Sequence, residues 1–266
     1  MPGQAVGSAV PLGAGTGAEL EVRGVRKSFP TDQGSIEVLA GVDLLARPGE
    51  FVTVVGPSGC GKSTLLGILA GIEPPSAGEV LLGGEKVTGR AGRFAYMPQS
   101  DVLFDWRRVL DNATLGLEVR GMSRRDARAK VAPLIQTFGL AGFERAYPFQ
   151  LSGGMRQRVA LLRTVAQGQR VLLLDEPLGA LDALTRREMQ IWLQSVWERF
   201  RWTVVLVTHD IREAVYLSDT VYVMSPRPAS IRRRVAVELP RPRTPELATS
   251  PRAAELEAEL LATLGA

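Results

Sequence analysis

The chain has 266 residues, 45% of them hydrophobic and 23% charged, with a formal net charge of +4. That length holds one or two domains with a sizeable core, and the composition is ordinary for a globular protein. A single cysteine, Cys60, excludes an intrachain disulfide scaffold and fits a reducing compartment, while the mild basic excess suits nucleotide, nucleic acid and anionic lipid alike.

Residues 1–18 are rich in Gly, Ala and Pro without periodicity and read as a disordered tail. They lack the charged start and unbroken apolar stretch of a secretory signal. No apolar run approaches the roughly 20 residues that cross a bilayer, so any service to a membrane goes through a partner.

Order is expected from Leu20 onward, with strands and helices alternating as in an α/β domain with a mainly parallel sheet. Residues 51–55 form a short apolar strand that runs through a glycine-rich turn into a helix over 62–70. Strands follow at 79–82 and 94–97. From 109 to 138 the pattern becomes helical, with two amphipathic helices, the second over 124–138 and basic on its exposed face. A loop spans 139–150, and a helix runs from 153 toward 166. Residues 100–165 thus form a helical subdomain inserted between strands. The parallel pattern resumes with a strand at 171–174, a helix at 184–199, a strand at 203–207, a helix at 211–218 and a strand at 220–224. A basic edge strand at 231–239, a proline-marked linker and an amphipathic helix at 253–264 close the chain.

The strongest local pattern is Gly56-Pro57-Ser58-Gly59-Cys60-Gly61-Lys62-Ser63-Thr64, which fits G-x-x-x-x-G-K-[ST] between a buried strand and a helix. Glycines let the backbone curl so that successive N–H groups face a phosphate, and the helix N-terminus adds partial positive charge. Lys62 is expected on the terminal phosphates and the Ser63 hydroxyl on Mg²⁺. The run Val171-Leu172-Leu173-Leu174-Asp175-Glu176 is an apolar strand that ends in two acids, where ligands of open α/β sheets bind. Asp175 is expected to hold Mg²⁺ beside Lys62 and Ser63, and Glu176, on the next residue, to act as general base on the attacking water. Cys60, within the loop and near a helix N-terminus, is expected to react with maleimides and to be protected by the bound nucleoside triphosphate.

Leu151-Ser152-Gly153-Gly154-Met155-Arg156-Gln157 resembles the LSGGQ signature of ATP-binding cassette proteins, with Met155 in place of the final glutamine of that pattern. The resemblance spans about residues 19–240 and orders further motifs: Gln99 as the glutamine that senses Mg²⁺ and the attacking water, Ala180-Leu181-Asp182 as the D-loop, His209 as the switch histidine on the γ-phosphate, and Phe29 as the aromatic stacked on adenine. It implies an α/β fold with a P-loop nucleotide-hydrolase core, an antiparallel β subdomain and an inserted helical signature subdomain. The ATPase domain would cover 19–240, followed by a linker and short helix over 241–266. It further implies a head-to-tail dimer, with a second copy or a paralogue, in which each ATP lies between residues 56–64 of one chain and Ser152, Gly153 and Gly154 of the other.

Three runs resemble the nitrate, sulfonate and taurine group of importers: residues 97–107, 174–186, and 225–228 followed by 239–243. This resemblance implies a transmembrane permease, an indirect extracytoplasmic binding protein, no nucleic acid, and a peripheral position on the cytoplasmic face of the membrane. Residues 102–107 are expected to line the permease dock, with Trp106 as its aromatic anchor. Arg232–Arg234 and Arg241–Arg243 read as a basic tail, a solvated face or a contact for anionic lipid. An exporter subunit, or a cassette ATPase acting on nucleic acid or ribosomes, would be the alternatives. Only about 110 residues separate Lys62 from Asp175, with no sustained heptads, which disfavours the coiled-coil chromosome type.

Overall fold

A computed structural model describes residues 17–32 and 34–265; most of the expected N-terminal tail lies outside the described residues. Gly17 and Ala18, placed in that tail by the sequence, are docked instead: Gly17 N–H donates to Arg201 O at 3.2 Å, and Thr203 Oγ1 donates to Ala18 O at 2.8 Å.

Two long strands open the fold, β1 (Leu20–Thr31) and β2 (Gly34–Ala46), which pair antiparallel. The core strand β3 (Phe51–Val55) leads into helix α1 (Lys62–Leu69). Strands β4 (Ala77–Leu82), β5 (Glu85–Lys86) and β6 (Ala95–Met97) follow. The helical insert comprises α2 (Val109–Val119), α3 (Arg124–Thr137) and α4 (Gly153–Val165). The chain returns through β7 (Val171–Asp175), α5 (Ala183–Phe200), β8 (Thr203–Thr208), α6 (Ile211–Leu217), β9 (Thr220–Met224) and β10 (Ile231–Ala236), and ends in α7 (Pro251–Gly265).

The strands form two sheets. One is antiparallel, in the order β2-β1-β4-β5; the other has six strands in the order β10-β9-β3-β8-β7-β6, parallel except for β10. Strands β3, β7, β8 and β9 are buried from end to end, as a parallel sheet covered on both faces requires. Their side chains alternate between two cores. Phe51, Leu172, Leu174, Val204 and Leu206 pack with the insert and α5, whereas Val52, Val54, Leu173, Val205 and Val207 pack with α1 and the antiparallel sheet. A third core under α6 and α7 holds Val55, Val221, Val223, Ala253, Leu256 and Leu260.

Two readings of the C-terminal third need correction. The proline-marked segment is docked: Gln194 donates to Arg243 O and accepts from Arg243 N–H, and Tyr216 Oη donates to the same carbonyl at 2.8 Å. Arg241 and Arg243 therefore do not belong to a basic tail. Arg241 pairs with Asp219 at 2.8 Å, and Arg243 is only 2% exposed. Arg232, Arg233 and Arg234 do lie on the surface of β10.

Trp197 is the hub of the first core. It is 1% exposed, meets Phe51 edge-on at 5.8 Å, donates Nε1–H to Trp202 O at 2.9 Å and carries the Arg241 guanidinium 4.1 Å above its ring. Trp197→Ala removes a packed aromatic and orphans a carbonyl, so it should destabilise the fold by about 3–5 kcal/mol, with Trp197→Phe costing clearly less. Urea unfolding of the two variants beside the parent measures this.

Candidate functional site

Parallel register brings the reactive residues to one edge. Val55 stands opposite Thr208 and Val223, Asp175 opposite Val207, and Met97 opposite Leu174. The loop after β3, the acids ending β7, His209 after β8 and Gln99 after β6 therefore leave the sheet at the same level.

The loop over residues 56–64 is set by its glycines. Gly61, the N-cap of α1, has φ 122°, and a Cβ there would lie 2.8 Å from Val38 Cγ1. Both the backbone angle and the space demand glycine at this point. Gly59 takes φ 73°, and Cys60 N–H closes the turn on Pro57 O at 3.2 Å. Pro57 is half-buried, and Ser58 and Gly59 are exposed. Lys62 is 6% exposed and folds over the loop, its ammonium donating to Gly56 O at 2.9 Å and Pro57 O at 3.0 Å. Ser63 is exposed and Thr64 half-buried.

Cys60 corrects an expectation. Its thiol is free and only 2% exposed, packed beneath the loop among the second core's side chains. Ready attack by maleimide does not follow from that position. What Cys60 offers the loop is its backbone.

Ser63 Oγ donates to Asp175 Oδ1 at 3.1 Å, and Tyr96 Oη donates to Asp175 Oδ2 at 3.4 Å. Burial raises the Asp175 carboxyl above its ordinary range, opposed by the Ser63 bond. Burial, reinforced by the Asp175 charge, pushes the Tyr96 phenol up to about 12, so it stays a donor. A hydroxyl beside a buried carboxylate is a hard-oxygen pair that suits Mg²⁺, which normally takes its other ligands from water and substrate phosphates.

Glu176 has φ 44°, an uncommon left-handed angle for a non-glycine residue, and its N–H donates to Val207 O at 2.9 Å. Its Oε2 lies 3.2 Å from His209 Nδ1 and 3.4 Å from Gln99 Nε2. The ends of three strands thus converge on one carboxylate oxygen.

The other expected site residues sit elsewhere. Ser152 caps α4 by accepting Met155 N–H at 3.3 Å. Gly153 and Gly154 back onto the D-loop region: added Cβ atoms would lie 3.3 Å from Leu181 Cδ2 and 3.0 Å from Thr185 Cγ2. Asp182 caps α5, its Oδ1 accepting the N–H groups of Leu184 and Thr185 at 3.1 Å each. The Thr185 side chain first, and then these backbone bonds, lower its carboxyl pKa. Phe29 is half-buried on β1, and the Lys27 ammonium sits 4.7 Å over its ring.

Three contributors escaped the sequence reading. Tyr96 is one. Arg186 is another: it donates to Leu181 O at 2.8 Å and stands 3.7 Å from Asp210, the cap of α6, so it joins the D-loop to the residue after His209. The third is Glu213, 3% exposed, with Oε1 unpartnered. No local spacing pattern marks any of them; each is found only when the strands and helices are assembled.

A surface loop extends from this site. The Arg163 guanidinium holds it by donating to Val102 O at 2.6 Å and Asp101 O at 2.5 Å. At its far end Trp106, 76% exposed, stacks on Phe104 with ring centroids 4.8 Å apart.

Known proteins resemble this chain in sequence and fold. Residues 39–179 match the family model described as ABC transporter. An aliphatic sulfonates import ATP-binding protein of Pseudomonas aeruginosa is 46% identical over 245 residues, 92% of this chain and 84% of that protein. A nitrate import ATP-binding protein of Synechocystis is 39% identical over 221 residues, 83% of each chain. A solved dimeric bacterial ABC transporter cassette superposes with a TM-score of 0.71 at 30% identity, covering 82% of this chain and 99% of the other. A dimeric cassette in a post-hydrolysis state, bound to ADP and phosphate, matches equally well, with a TM-score of 0.71.

Burial pushes the Glu213 carboxyl up to about 7 from an ordinary 4.5, only partly offset by its hydrogen bond with Thr208. Between those values the folded chain keeps a proton that the unfolded chain releases, so this group makes stability fall as pH rises across the window. Glu213→Gln should flatten that decline, measured as urea unfolding free energies at about pH 5 and about pH 7.5.

Proposed function

Since this chain belongs to the ABC transporter family, we propose that it is the ATP-hydrolysing subunit of an importer, powering uptake of a small solute through a separate membrane permease. The observation that carries the reading is the convergence of Glu176, His209 and Gln99 beside a glycine-built loop with Lys62 and Ser63.

In this reading the backbone of residues 56–64 wraps the phosphates of ATP, and Lys62 turns from its own loop carbonyls to the β- and γ-phosphates. Ser63, Asp175 and Gln99 hold Mg²⁺, which supplies charge neutralisation on the phosphates. Glu176 accepts a proton from the attacking water, and Gln99 orients that water. His209, 3.2 Å from Glu176, contacts the γ-phosphate and fixes the carboxylate's position. Phe29 offers the exposed part of its ring to adenine, held by the Lys27 ammonium over its ring, which is itself paired with Glu73.

Ser152, Gly153, Gly154 and Asp182 complete the site of a second cassette, a copy of this chain or a paralogue. Support comes from the signature turn and the D-loop packing side by side, and from Leu184, apolar and 78% exposed next to Asp182. The ATPase domain spans 19–240 with the insert at 100–165, and residues 241–266 form its C-terminal extension.

Among the described residues no helix is long and apolar enough to cross a membrane. The chain acts on the cytoplasmic face, and the exposed Trp106–Phe104 stack is its dock for the permease. An extracytoplasmic binding protein would act through that permease, and nucleic acid has no part. The sulfonate and nitrate import proteins among the relatives support a small solute such as a sulfonate, taurine or nitrate; a pyrimidine precursor is the other member of the solute group that the sequence resemblance implies.

Glu176→Gln should lower ATP turnover by roughly 100-fold or more while ATP still binds. Light scattering after size exclusion should then show a dimer with MgATP and a monomer without it. A variant that hydrolyses ATP at the parent rate would refute the assigned base. Separately, Trp106→Ala should leave ATPase activity of the free chain unchanged and reduce co-purification with the permease. Undiminished assembly and transport would remove the dock.

A further inference from the structure

A cavity of about 500 Å³ opens where the C-terminal segment crosses α5 and α6. None of its lining residues belongs to the 56–64 loop or to the Asp175–Glu176 pair. Its size is that of a small-molecule site.

The charge around it is unbalanced. Four arginines line the cavity, Arg186, Arg187, Arg212 and Arg243, against two carboxylates, Asp210 and Glu257. Each carboxylate is already matched: Asp210 stands 3.7 Å from Arg186, and Glu257 stands 3.5 Å from Arg212. Arg187 makes no direct hydrogen bond or ion pair with any described residue, though its charge reaches the Glu246 carboxyl and the Tyr216 phenol. Arg243 is 2% exposed, and its guanidinium is met only by carbonyls, those of Val215 and Tyr216 at 3.0 Å and Val237 at 3.4 Å. Its buried Nε–H has no acceptor. A buried cation with a donor unfilled and no carboxylate in contact is costly unless something anionic approaches it. Most of the remaining wall is apolar, from Ile191, Val215, Leu239, Pro245 and Leu247, with Gln190, Tyr216 and Thr249 adding polar groups.

We propose that this cleft binds a small organic anion, its acidic head group toward Arg187 and Arg243 and a short apolar body against the Leu239–Leu247 wall. The position has a consequence for hydrolysis, which rests on the function proposed above. The cavity reaches Ala183 and Arg186 in the first turn of α5, just after Asp182, and Asp210 and Arg212 around the start of α6, just after His209. An occupant ties both first turns to the C-terminal segment. It thereby restrains the D-loop and the switch histidine and slows turnover.

Isothermal titration of the full chain with hexanesulfonate tests this, with saturating ADP filling the phosphate loop. One site is expected. Arg187→Glu should weaken it about tenfold or more, the loss of one charge contact, and Ala254→Trp, at an exposed lining position on α7, should abolish it by filling the space. ADP binding should be unchanged in both variants, and inorganic sulfate should bind about tenfold or more weakly because it lacks the apolar body. Hexanesulfonate should slow ATP turnover of the parent and leave that of Ala254→Trp untouched. No hexanesulfonate binding by a chain that binds ADP would overturn the proposal alone, as would binding indifferent to both substitutions. An unchanged turnover at saturation would overturn the restraint. Failure to bind ADP as well would bring down the ATPase reading with it.

Discussion

The register of five parallel strands governs everything chemical in this molecule. Val55, Asp175, Thr208 and Met97 end their strands at one level because Val55 pairs with Thr208, Asp175 with Val207 and Met97 with Leu174. A slip of one residue in any strand would exchange its two faces, moving Leu172 and Leu174 into the core meant for Leu173, or Val204 and Leu206 into that meant for Val205. Two differently shaped cores therefore hold the register from either side. A carboxylate, an imidazole and an amide that are 33 to 110 residues apart meet at one oxygen as a result.

Around that sheet edge, arginines act as ties between loops that would otherwise move independently. Arg163, on the insert's α4, grips the backbone of the loop that leads from Gln99 to Trp106. Arg186 grips the carbonyl of Leu181 and faces Asp210. In both cases a planar, multiply donating cation meets backbone carbonyls or a cap residue. Displacement of the exposed aromatic stack would reach Gln99 through the first tie, and displacement of the D-loop would reach the His209 turn through the second.

Much of this was legible in the sequence because the informative segments are short and locally determined. Strands β3, β7, β8 and β9 read as unbroken apolar runs, and the glycine loop and the Asp175–Glu176 pair announce themselves by spacing, whereas Ser152 and Asp182 are singled out only by the resemblance to cassette proteins. The antiparallel strand β1 did not. Its pairing with β2 slips between Val22 and Val25 and again around Arg26 and Lys27, so buried residues fall at irregular intervals and the two-residue period disappears. Side-chain direction was equally hidden. Cys60 belongs to the loop by sequence and to the core by packing, and Arg243 looks like a surface charge until Gln194, Val215 and Tyr216, contributed from α5 and α6, enclose it. Such facts depend on residues dozens of positions away.

Glu176 occupies a left-handed backbone angle that glycine or asparagine adopts with less strain, at a cost of order 1–3 kcal/mol for other residues. The fold thus sets conformational ease against chemistry at a single position. A library of this chain screened only for yield or heat resistance would drift toward glycine or asparagine at 176, enriching well-behaved protein that has lost the proposed base. Efforts to harden the molecule by such selection need a turnover assay in the same round.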